Sequence, residues 1–118
     1  MDINEFMAVE VMGWHIDGKE AGRLGEPYYI KLDVDKVIDI MPVKDWHPAE
    51  DLNQAMRCAK KLSKDNTWRV EIDIVPHGFA VNIVEKTYGE SYLSSRFGAD
   101  LPLAICEAIK EAMEVDDE

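Results

Sequence analysis

The sequence predicts an α+β fold in which three helices are layered on a central antiparallel β-hairpin. Two observations lead to this fold class. Apolar residues recur with the 3.6-residue period of a helix in three segments, and they alternate with period two in two neighbouring segments. At 118 residues the chain is expected to form a single domain over residues 1–118, with an acidic tail at residues 115–118.

The first helix is predicted over residues 3–12. Asp2 is suited to cap it, and Glu5 follows three residues later, as in a variant of the capping box. Gly13 stands where a left-handed residue commonly ends a helix. An extended stretch is expected from Trp14 onward.

The next thirty residues carry weaker signals. Residues 17–27 contain three glycines and a proline and are expected to form a loop. The aromatic and β-branched run at 28–32 predicts a strand. Residues 33–45 fit neither period, so we expect a loop there with at most a short turn or strand.

The second helix is predicted over residues 48–64. Pro48 is tolerated in a first turn, and the acids at the start and lysines at the end of the segment suit the helix dipole. One apolar stripe follows the helical period and consists of Leu52, Ala55, Met56, Ala59 and Leu62.

The hairpin is predicted over residues 67–75 and 79–86, with a turn at 76–78. Apolar side chains from Trp68 to Ile74 alternate with Arg69, Glu71 and Asp73. This polar face is expected to be at least partly hydrated. The segment that follows, "TYGESYLSSRFG", is expected to be a connection without regular structure.

The last helix is predicted over residues 101–114, with Asp100 as its N-cap. Cys106 lies in its second turn, where the helix dipole no longer favours a thiolate, and Glu107 beside it opposes one. We therefore expect Cys106 to be a core residue and not a nucleophile. Cys58 is expected near the boundary between helix and sheet, without a disulfide to Cys106.

Charge and motifs weigh against several function classes. With 24 acidic and 13 basic residues the formal net charge is −11, which disfavours direct binding to nucleic acid or to an anionic membrane. The aspartates of "DVDKVID" lack the glycine and glutamate of a calcium loop, and the His and Cys residues are scattered. We predict no catalytic residue, no cofactor and no metal site.

One acidic feature has a regular spacing. Glu107, Glu111 and Glu114 fall on one side of the last helix, and the acidic tail extends the row. The row is either an ordinary solvated helix face or a surface that binds a protein partner with a basic groove. In the second case it is the candidate partner-binding site of the chain.

Three segments resemble one known family, the phage ABA sandwich domain: "NEFMAVEVMGW", "WHPAEDLNQAMRCAKKL" and "ADLPLAICEAIKEAM". The family phrases are matched by Val11 to Trp14, by Pro48, Asp51 and Ala55, by Trp68, and by Leu101 to Cys106 with Ala108. His47 departs from the small hydroxyl residue usual in the family. The resemblance implies helices layered with a sheet, a phage origin and residence in the host cytoplasm. It implies no activity, because the matching residues are helix caps and apolar stripes.

Two hypotheses for function follow. The first is a small phage accessory protein that binds a host or phage protein without catalysis, as an inhibitor of a host nucleic-acid enzyme or of a CRISPR-type defence complex. The second is a protein that binds or sequesters a small molecule such as a signalling nucleotide, in a pocket near Trp14, Tyr28, Trp46 and His47. A homodimer paired through a sheet edge is compatible with either.

Overall fold

The computed structural model describes residues 1–17, 27–85 and 91–116 of the chain. Over these residues the fold is α+β, with three helices and two three-stranded antiparallel sheets. The chain divides into two compact units, Met1–His47 and Pro48–Glu118, which are described in turn. The predicted fold class is confirmed at this level, but a three-stranded sheet takes the place of the central hairpin.

The first unit opens with helix α1, Ile3–Phe6, which continues as a π-helical segment, Met7–Val11. The Asp2 side chain accepts a hydrogen bond from the Glu5 N–H at 2.9 Å, which confirms the predicted cap. Gly13 has a φ of +73°, the left-handed conformation expected after this helix. The predicted helix is therefore confirmed, while its widening to a π-helix had no signal in the sequence.

Three strands follow, β1 His15–Asp17, β2 Tyr28–Asp33 and β3 Lys36–Pro42, in the order β1-β2-β3. A 3-10 turn, Val43–Asp45, ends the unit. Strand β2 confirms the prediction for residues 28–32. The predicted loop at 17–27 lies mostly outside the described residues.

Residues 33–45 were predicted to be a loop with a possible short turn or strand, and the structure places the seven-residue strand β3 within them. Its connection to β2 is the two-residue turn Val34-Asp35, which lacks the Asn-Gly or Asp-Gly signal of a tight hairpin. The register between the strands also shifts after Lys31, so that β3 carries an extra residue and its alternation is broken. Because of these two features, the sequence of β3 lacks the alternation and the turn signal from which a strand is predicted.

The second unit contains helix α2, Leu52–Asn66, strands β4 Trp68–Val75, β5 Gly78–Glu85 and β6 Ser91–Gly98, and helix α3 Leu101–Asp116. The sheet order is β4-β5-β6. Helix α3 packs on β5 and β6, and α2 packs on α3 and β4. The predicted hairpin is confirmed to within one residue at each end, and the predicted last helix extends two residues further.

Strand β6 replaces most of the predicted irregular connection. Its buried position is a serine, so the strand shows no run of alternating apolar residues. The Ser94 hydroxyl donates a hydrogen bond of 2.6 Å to the Ala108 carbonyl of α3, which satisfies the buried polar group. A buried polar contact of this kind cannot be recognised from the alternation of hydrophobicity.

Helix α2 begins four residues later than predicted. The Asp51 side chain caps it by accepting from the Gln54 N–H at 3.1 Å, and Pro48 lies before the helix as a fully buried residue. Leu52 is exposed rather than part of the buried stripe. The buried residues of α2 are Ala55, Cys58, Ala59 and Leu62.

The polar face of the β4–β5 hairpin is partly hydrated, as predicted. Trp68 is buried, Arg69 and Glu71 are half-buried, and Asp73 is exposed. Arg69 Nε lies 3.5 Å from a Glu71 carboxylate oxygen. The partial hydration of the polar face is therefore confirmed, whereas Ile74, predicted on the apolar face, is 86% exposed.

Candidate functional site

The β2–β3 hairpin of the first unit carries an unusual number of exposed apolar side chains. Leu32 pairs with Val37, and Ile40 pairs with Ile30, so these four side chains share one face of the hairpin. Leu32, Val37 and Ile40 are 44%, 50% and 49% exposed, respectively, and Ile30 is buried. We call Leu32, Val37 and Ile40, together with Val34 at the tip, the apolar hairpin surface.

The tip adds the most exposed member of this surface. Val34 is 93% exposed and has a φ of +47°, and Asp35 beside it has a φ of +65°. Positive φ at both positions is the signature of a type I′ turn, which favours Asn and Gly. A β-branched residue is a genuine outlier there, at a cost of about 1–2 kcal/mol. Neither burial nor turn geometry accounts for a valine at this position.

The outer edge of the hairpin is protected. The Asp39 carboxylate accepts a hydrogen bond of 3.0 Å from the N–H of Ile40, and the register shift lies next to it. Carboxylates and bulges on an edge strand oppose pairing with a further strand. A partner can therefore contact the side chains of the hairpin more readily than the backbone groups of its edge strand.

A groove in the second unit lies between α2 and β4 and has a volume of about 420 Å³. Met56, Lys60 and Ser63 line it from α2, and Arg69, Val70 and Ile72 line it from β4. Its ionisable lining residues are both cations, although the chain as a whole is strongly acidic. The groove was not predicted, because its residues are separated in sequence by the end of one helix and the start of a strand.

Two of the residues near which a small-molecule pocket was expected, Trp14 and Trp46, form a packed cluster with Tyr29. The Trp14 and Trp46 rings meet edge to face with centroids 4.7 Å apart, and Tyr29 stacks on Trp14 at 6.1 Å. Trp46 Nε1 donates a hydrogen bond of 2.9 Å to the Asn4 carbonyl. Both tryptophans are buried, whereas Tyr28 and His47 are half-buried. These contacts fill the cluster with its own rings, and the described groove lies elsewhere.

The three glutamates of the acidic row do not form a uniform free surface. Glu111 pairs with Arg96 of β6 at 2.6 Å, and Glu114 pairs with Lys110 at 3.0 Å. Glu107 is half-buried. Two of the three carboxylates are thus already neutralised within the chain, which weakens the row as a recognition surface.

Both thiols are in the core. Cys58 and Cys106 have no solvent exposure and form no disulfide. Burial, followed by the charges of Glu107 and Asp100, raises the pKa of Cys106 to about 12. Burial likewise raises the pKa of Cys58, which lies deeper than the predicted helix–sheet boundary. Neither group is a thiolate at neutral pH, so neither has the ionisation state of a nucleophile.

Over the described ranges, no three His, Cys, Asp or Glu side chains are grouped closely enough to hold a metal ion. Within the same ranges, no helix has both the length and the apolar character to cross a membrane.

The chain matches a known family model over most of its length. The model of the phage ABA sandwich domain covers residues 5–115. No curated protein and no solved structure gives a significant match. The resemblance of the helix caps and apolar stripes is therefore confirmed, and the chain belongs to the phage ABA sandwich domain family.

Proposed function

We propose that this protein is a phage accessory protein that binds another protein and performs no catalysis, with the apolar hairpin surface as its contact. The exposure of Leu32, Val34, Val37 and Ile40 on one hairpin carries the proposal. Contiguous exposed apolar residues on a soluble chain commonly mark a protein–protein contact. The unfavourable φ of Val34 supports the same reading, because strain of this kind is retained where a local function requires it.

The hairpin also indicates the chemistry of the partner. Asp33 and Asp35 are exposed beside the tip together with one cation, Lys36, and the chain has a net charge of −11. A complementary surface would be an apolar cleft with basic residues at its rim, since opposite charges steer the encounter while the apolar core supplies affinity. A basic partner was also expected from the acidic row, and our proposal differs in making the hairpin its point of contact.

The narrower proposal is that the partner is a host nucleic-acid enzyme or a defence complex, which the protein inhibits in the cytoplasm of an infected or lysogenic bacterium. Membership of a phage family and the acidic composition support it. Nucleic-acid enzymes present basic surfaces to their substrates, so an acidic protein is a suitable competitor. An activity assay of the recovered partner, with and without the protein, tests this step separately from binding.

The binding proposal is tested with a tagged full-length chain in infected cells. The variant Leu32→Ser/Val37→Ser/Ile40→Ser should lose the recovered partner. The control Tyr92→Ser/Phe97→Ser/Val115→Ser removes three exposed apolar side chains from the second unit and should retain it. Equal loss in both variants, or retention in both, contradicts the hairpin as the contact.

Two further outcomes separate the competing surfaces. If Glu107→Gln/Glu111→Gln/Glu114→Gln abolishes recovery and the hairpin variant does not, the acidic row is the contact. Such a contact would also be lost in high salt, because exposed charges are screened beyond about 8 Å at physiological ionic strength. If light scattering shows a hairpin-dependent dimer and no other protein is recovered, the partner is a second copy and the proposal of a host or phage partner fails.

A further inference from the structure

Strand β4 lies at the edge of its sheet. Among the described strands it pairs only with β5, through eight consecutive residue pairs from Trp68 with Glu85 to Val75 with Gly78. The register of this ladder has no shift. Because no β-bulge interrupts β4, a further strand can pair along its outer edge.

The turn geometry shows which backbone groups of β4 point outward. The two-residue turn Pro76-His77 is closed by Val75 and Gly78. In such a hairpin the closing pair exchanges hydrogen bonds, and so does every second pair beyond it. Residues 69, 71, 73 and 75 therefore bond to β5, and residues 68, 70, 72 and 74 direct their N–H and C=O groups to the open edge.

A contact from α2 supports this assignment independently. The Ser63 hydroxyl donates a hydrogen bond of 2.7 Å to the Trp68 carbonyl. The carbonyl at position 68 therefore faces α2 and not β5. By the alternation of a strand, the backbone groups of Val70 and Ile72 face the same side, which is the side of the groove.

An open strand edge beside a helix is the arrangement that binds peptides by adding a strand. The edge supplies backbone hydrogen bonds, and the space between strand and helix receives alternate side chains of the peptide. Met56, Val70 and Ile72 give this groove an apolar lining, and Lys60 and Arg69 add positive charge. No proline or lysine stands among the outward-facing residues of β4 to block such pairing.

We propose that the β4 groove binds an extended segment of another protein, added as a strand to β4, with apolar side chains in the groove and a carboxylate near Lys60. Lys60 favours this occupant over a second copy, because an isologous contact would bring the same lysine to the groove from both sides. Arg69 also lines the groove but lies 3.5 Å from the Glu71 carboxylate. The proposal concerns a second surface and does not depend on the hairpin contact.

The test begins with selection of a random decapeptide display library on the immobilised full-length chain. Enriched peptides should carry Asp or Glu beside alternating apolar residues. A labelled synthetic copy should bind in fluorescence anisotropy, and it should shift the amide NMR signals of residues 68–72. Methylation of alternate peptide nitrogens, on the side that faces β4, should abolish binding, because strand addition requires those N–H groups.

Variants of α2 supply the matched comparison. Lys60→Glu should weaken peptide binding at least tenfold, whereas Lys64→Glu, one turn further along and outside the groove, should change it less than threefold. The hairpin variant Leu32→Ser/Val37→Ser/Ile40→Ser should bind the peptide unchanged. The proposal is overturned if no peptide is enriched, if the two lysine variants have equal effects, if the shifts lie outside α2 and β4, or if light scattering shows a dimer that Lys60→Glu disrupts.

Discussion

The edge strands β3 and β4, one from each sheet, differ in which groups they expose to another molecule. On β3, the Asp39 carboxylate and a register shift protect the backbone, while Val37 and Ile40 remain exposed. On β4 the ladder is regular and alternate backbone groups face an open groove. The first edge is therefore suited to contact through side chains and the second to contact through the backbone. Apolar residues are thus exposed on the β2–β3 hairpin, where we propose that they serve recognition, and buried in the α3–sheet interface, where they stabilise the fold.

The largest expected effect is a difference in stability between truncation of a buried isoleucine in α3 and truncation of an exposed isoleucine on the hairpin. Ile105→Ala in α3 removes a fully buried side chain and should cost about 2–5 kcal/mol of unfolding free energy. Ile40→Ala on the hairpin should cost no more than about 0.5 kcal/mol. Urea denaturation followed by far-ultraviolet circular dichroism measures both. A comparable loss for Ile40→Ala would mean that the hairpin surface is structural.

The buried thiols, which both lie in the second unit, should make the free energy of unfolding depend on pH in alkaline solution. The folded-state pKa of Cys106 is raised to about 12 from an ordinary value of 9.0, so the unfolded chain loses this proton first as pH rises. The contribution of this thiol to the free energy of unfolding is intact below pH 9. It declines by about 1.4 kcal/mol per pH unit toward pH 12. Cys106→Ala should show a shallower decline than the parent in denaturation curves over this range. Identical slopes would contradict the assignment.

Relief of strain at the hairpin tip should separate stability from binding. Val34→Asn places a residue that tolerates positive φ in the turn and should raise the unfolding free energy by about 0.5–1 kcal/mol. It also removes the most exposed apolar side chain, so partner recovery should fall. Val37→Asn, at an ordinary strand position, should weaken recovery without the gain in stability. A destabilised Val34→Asn would argue against a strained turn.

The smallest effects are expected on the acidic row. Glu111→Gln removes an exposed ion pair with Arg96 and should cost at most about 1 kcal/mol, and Glu114→Gln should cost about 0.3 kcal/mol. Thermal unfolding at low and high salt is the suitable measurement, because the differences should shrink in high salt. A larger loss would give this row a structural role that its exposure does not suggest.

Sequence periodicity predicted the elements whose buried residues are apolar and whose boundaries carry ordinary signals. The cap at Asp2, the β4–β5 hairpin and the burial of Cys106 follow from such local patterns, whereas Gly78, predicted to lie in the turn, pairs with Val75. Strand β6 escaped prediction because its buried position, Ser94, is polar and is satisfied only by a distant carbonyl of α3. Strand β3 was predicted only as a possible short strand, because Val34-Asp35 is an unfavourable turn sequence.

The candidate surfaces were harder to predict than the core. Exposure of Leu32, Val37 and Ile40 depends on which face of the hairpin is covered, and the sequence gives no measure of that. The groove depends on the spacing between α2 and β4, which the hydrogen bond from Ser63 to Trp68 helps to set. The acidic row had the clearest spacing in the sequence, yet two of its members are paired within the chain.

Partner binding by the apolar hairpin surface is tested most directly by photo-crosslinking in infected cells, with benzoylphenylalanine placed at the hairpin tip, position 34. We expect one dominant crosslinked protein, identified by mass spectrometry. Its yield should fall when the chain that carries the probe also carries Leu32→Ser/Val37→Ser/Ile40→Ser. The same probe at exposed position 97 of β6 should give no such product. An equal pattern of crosslinks from both positions, or crosslinks from position 97 alone, would contradict the apolar hairpin surface as the site of partner binding.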